Sequence, residues 1–146
     1  MDYKIKTTTD EIDFNEVRDI LHYHKLSNYD TETIKKIFEN SYAVVFLLQN
    51  EKVIGIGRAI SDGVCQAALY NIALDKEHCG LGLGKVIVTE LLKQVKGCNV
   101  ILYTHPKHIG LYEHWGFSRM KTGYALFLNR EFYMQEGFIG KNFNRL

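Results

Sequence analysis

Three glycines at alternate positions, Gly80, Gly82 and Gly84, carry the most readable chemistry in this sequence. An apolar run from Ala67 to Leu74, with the character of a strand, leads to them through Asp75-Lys76-Glu77-His78-Cys79. After them, Leu83, Ile87, Leu91 and Val95 recur every fourth residue with Val88 and Leu92 beside them, which is one apolar face of a helix. Strand, glycine loop and helix start, in that order, make an anion site. Backbone N–H groups in the first turn of a helix have no intrahelical partner and point at a ligand, and glycine lets that ligand approach the main chain. The chemistry is the holding of phosphate.

Spacing separates the phosphate ligands. A Walker A loop needs a glycine five residues before its Gly-Lys pair and a Ser or Thr after the lysine, and those positions are Cys79 and Val86. The dinucleotide fingerprint Gly-x-Gly-x-x-Gly would need its third glycine at Lys85 or Ile87, and it fails as well. What remains, Gly-x-Gly-x-Gly at a strand-to-helix turn, resembles the pyrophosphate loop of the GNAT superfamily of acetyl-coenzyme A-dependent N-acetyltransferases. That family's pattern of Gln or Arg, two residues, Gly, one residue, Gly or Ala falls on Cys79, Gly82 and Gly84. The departure is Cys79, which removes a side-chain contact but leaves the backbone cradle, so weaker or differently tuned cofactor binding is the expectation. A second stretch, Gly110-Leu111-Tyr112-Glu113-His114-Trp115-Gly116-Phe117, is similar to the family's Tyr-Glu, two residues, Gly-Phe. The resemblance covers roughly residues 42–128.

The resemblance implies acetyl-coenzyme A as co-substrate, with Ile72, Ala73 and Leu74 offering strand-edge hydrogen bonds to the pantetheine. Cys79, Gly80, Leu81, Gly82, Leu83, Gly84 and Lys85 would hold the pyrophosphate. It also places Tyr112 where the family often has the general acid for the departing thiolate. A phenol of ordinary pKa about 10 stays protonated at neutral pH and matches such a leaving group. The substrate amine must lose a proton before it attacks. Candidates for that base are Asp75, Glu77, His78, Asp62 and His105, or a water held by backbone and polar groups such as Asn71. His105 stands where many relatives have an Asn, and histidine is a common general base in enzymes. For the acceptor, Tyr23, His24, Tyr29 and Tyr124 could form an aromatic wall, with Asp30 or Asp62 meeting an ammonium. The stretches around Asp62 and after Pro106 look similar to small-amine acetyltransferases of bacterial type, so a small primary amine (arylalkylamine, polyamine or amino sugar) is the expected acceptor.

The elements that must position these residues are legible in outline. Residues 3–7 alternate as a first strand, and two helices follow over about 12–26 and 31–39. Asp10 or Asp13 is the expected cap of the first, and Asp30 or Thr31 of the second. Residues 41–49 and 52–60 form an antiparallel pair around Asn50-Glu51, Ser61-Asp62-Gly63 turns the chain into the central strand 64–74, and the cofactor helix ends near Gly97. Residues 100–104 make a short strand, which the right-handed crossover rule sets parallel to the central one. Residues 118–128 are expected to form a closing hairpin. The fold class is α/β of α+β type, a mixed and mostly antiparallel sheet flanked by helices, and the resemblance implies that its two parallel strands splay. The aromatic tail 129–146, with Phe132, Tyr133, Phe138 and Phe143, could add a homodimer interface or cover the sheet.

Composition agrees with a single domain: 146 residues, 46% of them apolar, with acceptor-side helices in about 12–40 and a cofactor core in about 42–128. Eighteen basic residues against seventeen acidic ones give a net charge of +1, which argues against a nucleic-acid or anionic-membrane partner. No apolar run has the length of a membrane span, and Met1-Asp2-Tyr3-Lys4 lacks the apolar segment of a signal peptide, so a cytoplasmic location is expected. Cys65, Cys79 and Cys98 are odd in number and imply no disulfide framework. The six histidines lack zinc-site spacing, so no metal is expected. Three functional classes are compatible with the loop: a small-amine acetyltransferase, a peptide or protein N-acetyltransferase, and a non-catalytic acyl-coenzyme A sensor.

Overall fold

The computed structural model describes residues 1–140. The chain divides into two compact units, Met1–Leu102 and residues 103–146. Phe143 lies outside the described residues.

The first unit is a five-stranded sheet in the order β1-β2-β3-β4-β5. The strands are β1 (Lys4–Lys6), β2 (Ala43–Gln49), β3 (Lys52–Ser61), β4 (Gln66–Leu74) and β5 (Asn99–Ile101). The first four pair antiparallel, and β4 and β5 pair parallel. Helices α1 (Phe14–Tyr23) and α2 (Thr31–Glu39) start where a carboxylate can satisfy free N–H groups. Asp13 accepts from Asn15 N at 2.9 Å, and Asp30 accepts from Thr33 N at 2.8 Å. Their apolar faces close one core against the sheet, in which Phe14, Phe38 and Phe46 pack together with Val17, Ile34 and Ile56.

Helix α3 (Leu83–Gln94) meets the sheet through Ile87 and Leu91, both fully buried. The floor beneath it is nearly bare backbone, because β3 presents Gly55 and Gly57 there. A Cβ on Gly57 would lie 2.5 Å from Ile87 Cγ2 and 3.1 Å from Leu91 Cδ1. The sheet thus yields side-chain volume so that the helix can come close.

The parallel pair is short. Pairing runs from Gln66↔Asn99 to Ala68↔Ile101, and β4 then continues six residues to Leu74 with no β5 partner. The pairing thus ends early, toward the end of β4 where the resemblance implies a splay. The expected strand 100–104 is thus only Asn99–Ile101.

In the second unit α4 (Ile109–His114) follows a 3-10 turn at Pro106–His108, and α5 (Arg130–Gln135) is capped by Asn129, which accepts from Phe132 N at 3.2 Å. The expected hairpin over 118–128 is not formed among the described residues. Its alternation leaves Tyr124, Leu126 and Leu128 exposed at 90% or more, and only Phe127 finds packing, stacked on Tyr133 at 3.8 Å. A two-stranded hairpin with one anchored apolar residue is marginal in water. The tail that the sequence left unplaced supplies the partners: Tyr103, Phe127, Tyr133 and Phe138 form one aromatic cluster.

The close approach at Gly57 gives a direct test. Gly57→Ala is expected to destabilise the protein by about 1–3 kcal/mol through overpacking against Ile87, measured by denaturant unfolding of both proteins.

Candidate active site

The glycine loop forms as its residue types require. Gly80 and Gly82 have φ of +78° and +80°, the left-handed region in which a side chain is strained. Gly82 is the N-cap of α3 and has no side chain to offer the first-turn N–H groups. An added Cβ at either glycine would meet nothing within 4 Å, so the glycines are there for conformation and for access, not for packing. A twelve-residue helix presents its free N–H groups to this open space, and Leu83 at its first position is buried and fixes the start. The pyrophosphate of coenzyme A fits such a cradle, in which backbone donors need only an anion. Lys85 is exposed in the first turn, where its ammonium can add charge.

The entry to the loop is pinned from two sides. His24, just beyond α1, bonds the Leu74 carbonyl through Nε2 at 2.6 Å, and Asp75 N donates to Ile54 O at 2.8 Å. His78 bridges Asp75 Oδ2 at 3.1 Å and Gln49 Oε1 at 3.0 Å. Three of the residues read as base candidates or acceptor wall (His24, Asp75 and His78) therefore have structural partners here. Cys79 is exposed, but its thiol is pushed up by partial burial, with the Asp75 carboxylate adding to the effect; its sulfur lies 3.5 Å from the Asp75 carbonyl. It is not an activated nucleophile.

Ahead of the loop, β4 carries a bulge that sequence reading missed. Ile56 pairs with Ala73 and Arg58 with Tyr70, so Asn71 and Ile72 together face Gly57 alone. Asn71 has φ +57° inside a strand. The extra residue shifts the alternation. Tyr70 lies against Arg58, whereas Ile72, two residues on, comes within 3.5 Å of the space above Gly57 on the α3 side. Ile72, Ala73 and Leu74 follow directly. Their edge lies beyond the last β5 pairing, although the Leu74 carbonyl is already taken by His24.

The acceptor candidates fall in different places. Tyr29 and Asp30 precede α2, where His22 bonds the Tyr29 carbonyl at 2.9 Å and one Asp30 oxygen caps the helix. Asp62 lies at the opposite end of β4 from the glycines, roughly 25 Å of strand away. Its Oδ1 accepts from the backbone of Val64, Cys65 and Gln66 at 2.7–3.2 Å, and its Oδ2 faces the Cys65 thiol. The Cys65 N–H contributes most to holding its carboxyl far below the usual carboxylate range. Asp62 shapes a turn.

Tyr112 and His105 belong to the second unit. The Tyr-Glu-x-x-Gly-Phe spacing is a helix terminus. Gly116, at φ +94°, closes α4, with Phe117 N donating to Tyr112 O and Gly116 N to Glu113 O, both at 3.0 Å. This returns Phe117 onto the Tyr112 ring at 5.7 Å, edge-on, with Trp115 at 5.3 Å. Burial there raises the phenol's pKa, so Tyr112 keeps its proton at neutral pH. His105 caps the 3-10 turn, its Nδ1 accepting from Lys107 N at 3.2 Å, and its Nε2 lies 3.5 Å from Glu136 Oε1. Both ring nitrogens thus have partners. Glu136 was not singled out in the sequence, because nothing local marks a contact that spans thirty-one residues. Among the described residues, no group of three or more His, Cys, Asp or Glu could hold a metal ion.

The family description "Acetyltransferase (GNAT) domain" matches residues 40–119, which contain the bulge, the glycine loop, α3 and α4. The chain belongs to the GNAT acetyltransferase family. Among GNAT relatives, GCN5-related N-acetyltransferase 1, chloroplastic, of Arabidopsis thaliana is 26% identical over 79% of this chain and 61% of its own. Serotonin N-acetyltransferase 2, chloroplastic, of Oryza sativa subsp. japonica is 31% identical over 44% of this chain and 34% of its own. The chain thus spans at most about three fifths of the curated relatives described. A crystal structure of a putative acetyltransferase from Deinococcus radiodurans R1 superimposes with a TM-score of 0.77 at 22% identity, covering 96% of this chain and 95% of that one. The fold is therefore the GNAT fold.

Gly82→Ala is expected to destabilise the fold by about 1–2 kcal/mol from the left-handed backbone alone, and to weaken acetyl-coenzyme A binding in a calorimetric titration.

Proposed function

We propose that this GNAT domain transfers the acetyl group of acetyl-coenzyme A to a small primary amine, by direct attack in a ternary complex. The observation that carries the reading is the glycine cradle: left-handed Gly82 opening α3 in unfilled space, one short loop after the unpaired edge of β4. Acetyl-coenzyme A would supply the activated thioester, and the chain's own residues do the rest. Backbone N–H groups from Gly80 to Lys85 hold the pyrophosphate, and Ile72 and Ala73 offer edge hydrogen bonds to the pantetheine. Tyr112 holds a proton on its phenol oxygen for the departing sulfur. For the base, the engaged nitrogens of His105 favour a water over the imidazole.

An arylalkylamine is the acceptor best supported. The rice relative is named for serotonin; Tyr23, the last residue of α1, and Tyr29, whose carbonyl His22 bonds, have exposed side chains, and His24 ties that end of α1 to Leu74. Asp30, which holds the first turn of α2 through the backbone and side chain of Thr33, follows Tyr29 directly and is the carboxylate proposed to meet the ammonium. The sensor reading retains one observation in its favour, the lack of a Gln or Arg at Cys79.

Purified protein mixed with acetyl-coenzyme A and a panel of aromatic, polyamine, amino-sugar and peptide amines should release free thiol with the aromatic amines. Tyr112→Phe should lower kcat about a hundredfold. Because the neutral phenol is the donor and burial raises its pKa, kcat should hold past pH of about 10 and fall only as that raised pKa is crossed. Tight cofactor binding with no release for any amine would favour the sensor; no binding would end both readings.

A further inference from the structure

We propose that Arg58 is a positioning residue that holds the β4 bulge in its left-handed form and so sets the strand edge at Ile72 and Ala73; the functional part of this rests on the acetyl-coenzyme A reading above. Asparagine tolerates φ +57° better than most side chains, but it gains that conformation only against the preference of L-residues for the other hand. Something must favour it inside a strand. Arg58 stands across from Tyr70, one position before Asn71, and donates from Nε to Asn71 Oδ1 at 2.6 Å. A charged donor on a neutral amide oxygen is among the stronger protein hydrogen bonds.

The guanidinium is itself fixed. It lies 5.1 Å from the centre of the Tyr70 ring and 5.9 Å from that of Phe38, within cation–π range of both. Its Nη1 reaches Ser41 Oγ at 3.3 Å, and Ser41 Oγ donates to the Ile37 carbonyl at 2.8 Å. Arg58 therefore links the C-terminal end of α2 to one backbone position in β4. That position decides which face of the sheet each later residue takes. If Asn71 relaxed into extended backbone, Ile72 would turn from the α3 side and Ala73 from the α1–α2 core.

The test uses Arg58→Ala, Asn71→Gly and the double variant, with thermal unfolding to confirm that each is folded. Glycine reaches the left-handed region unaided, so Asn71→Gly removes the need for the strut. In isotope-labelled, ligand-free protein, Arg58→Ala should abolish the left-handed signature in the backbone chemical shifts of residue 71. It should also weaken acetyl-coenzyme A binding about tenfold in calorimetry, and the double variant should return to within about twofold of the wild type. If Arg58→Ala leaves the signature intact, or if the double variant binds as poorly as Arg58→Ala alone, the proposal is overturned. If the wild type itself takes no acetyl-coenzyme A, the proposed function is what fails. The shifts at residue 71 then decide alone whether Arg58 holds the bulge.

Discussion

Helix α3 comes close to the sheet where β3 has no side chains, at Gly55 and Gly57, and the placing of the glycine loop depends on that contact. Gly55 and Gly57 remove side-chain volume from β3 where Ile87 and Leu91 descend. The helix carries the glycine loop on its N-terminus, so its depth on the sheet sets how far the loop stands from the end of β4. The same two residues of β3 face the stretch of β4 that contains the bulge. A close helix and an extra residue in the neighbouring strand are thus two sides of one packing arrangement, with Ile72 filling the space above Gly57.

The order of pairing along β4 follows from this. At its start β4 is hydrogen-bonded on both sides, to β3 and to β5. Past Ala68 the β5 partner ends, and past Tyr70 the bulge breaks the phase with β3 before pairing resumes at Ala73. A strand that is regular at one end and open at the other offers backbone groups in the interior of a sheet, where they are normally satisfied. At the end of the strand His24 bonds the Leu74 carbonyl, Asp75 N donates to Ile54 O, and His78 bonds the Asp75 carboxylate. The open edge is consequently short and well defined.

The glycine loop and helix α3 were legible because each rests on a local signal: alternate glycines, then a four-residue apolar period. The helix caps were legible for the same reason, with Asp13 and Asp30 both among the expected ones. The bulge was not. Asn71 in a run of apolar residues reads as a polar strand residue, and only the registers of Ile56 and Arg58 reveal the extra position. Asp62 illustrates another limit, since a carboxylate that organises a turn and one that awaits an ammonium look alike in sequence. The alternation of 118–128 suggested a hairpin, yet a strand needs a row of partners, and Phe127 alone is anchored, in an aromatic cluster built with the tail. The Tyr112 stretch was recognised by resemblance; its physical meaning, a helix closed by Gly116 so that Phe117 folds back on Tyr112, came from the hydrogen bonds.

The central claim is that backbone amides around the glycine loop and the adjoining strand edge bind acetyl-coenzyme A. The most direct measurement is a titration of isotope-labelled protein with acetyl-coenzyme A, followed by amide chemical shifts. The account requires saturable shifts concentrated at Ile72, Ala73, Gly80, Gly82 and Gly84, with Asp62 and its turn unmoved. No shift at those glycines, or saturable shifts confined to another part of the chain, would contradict it.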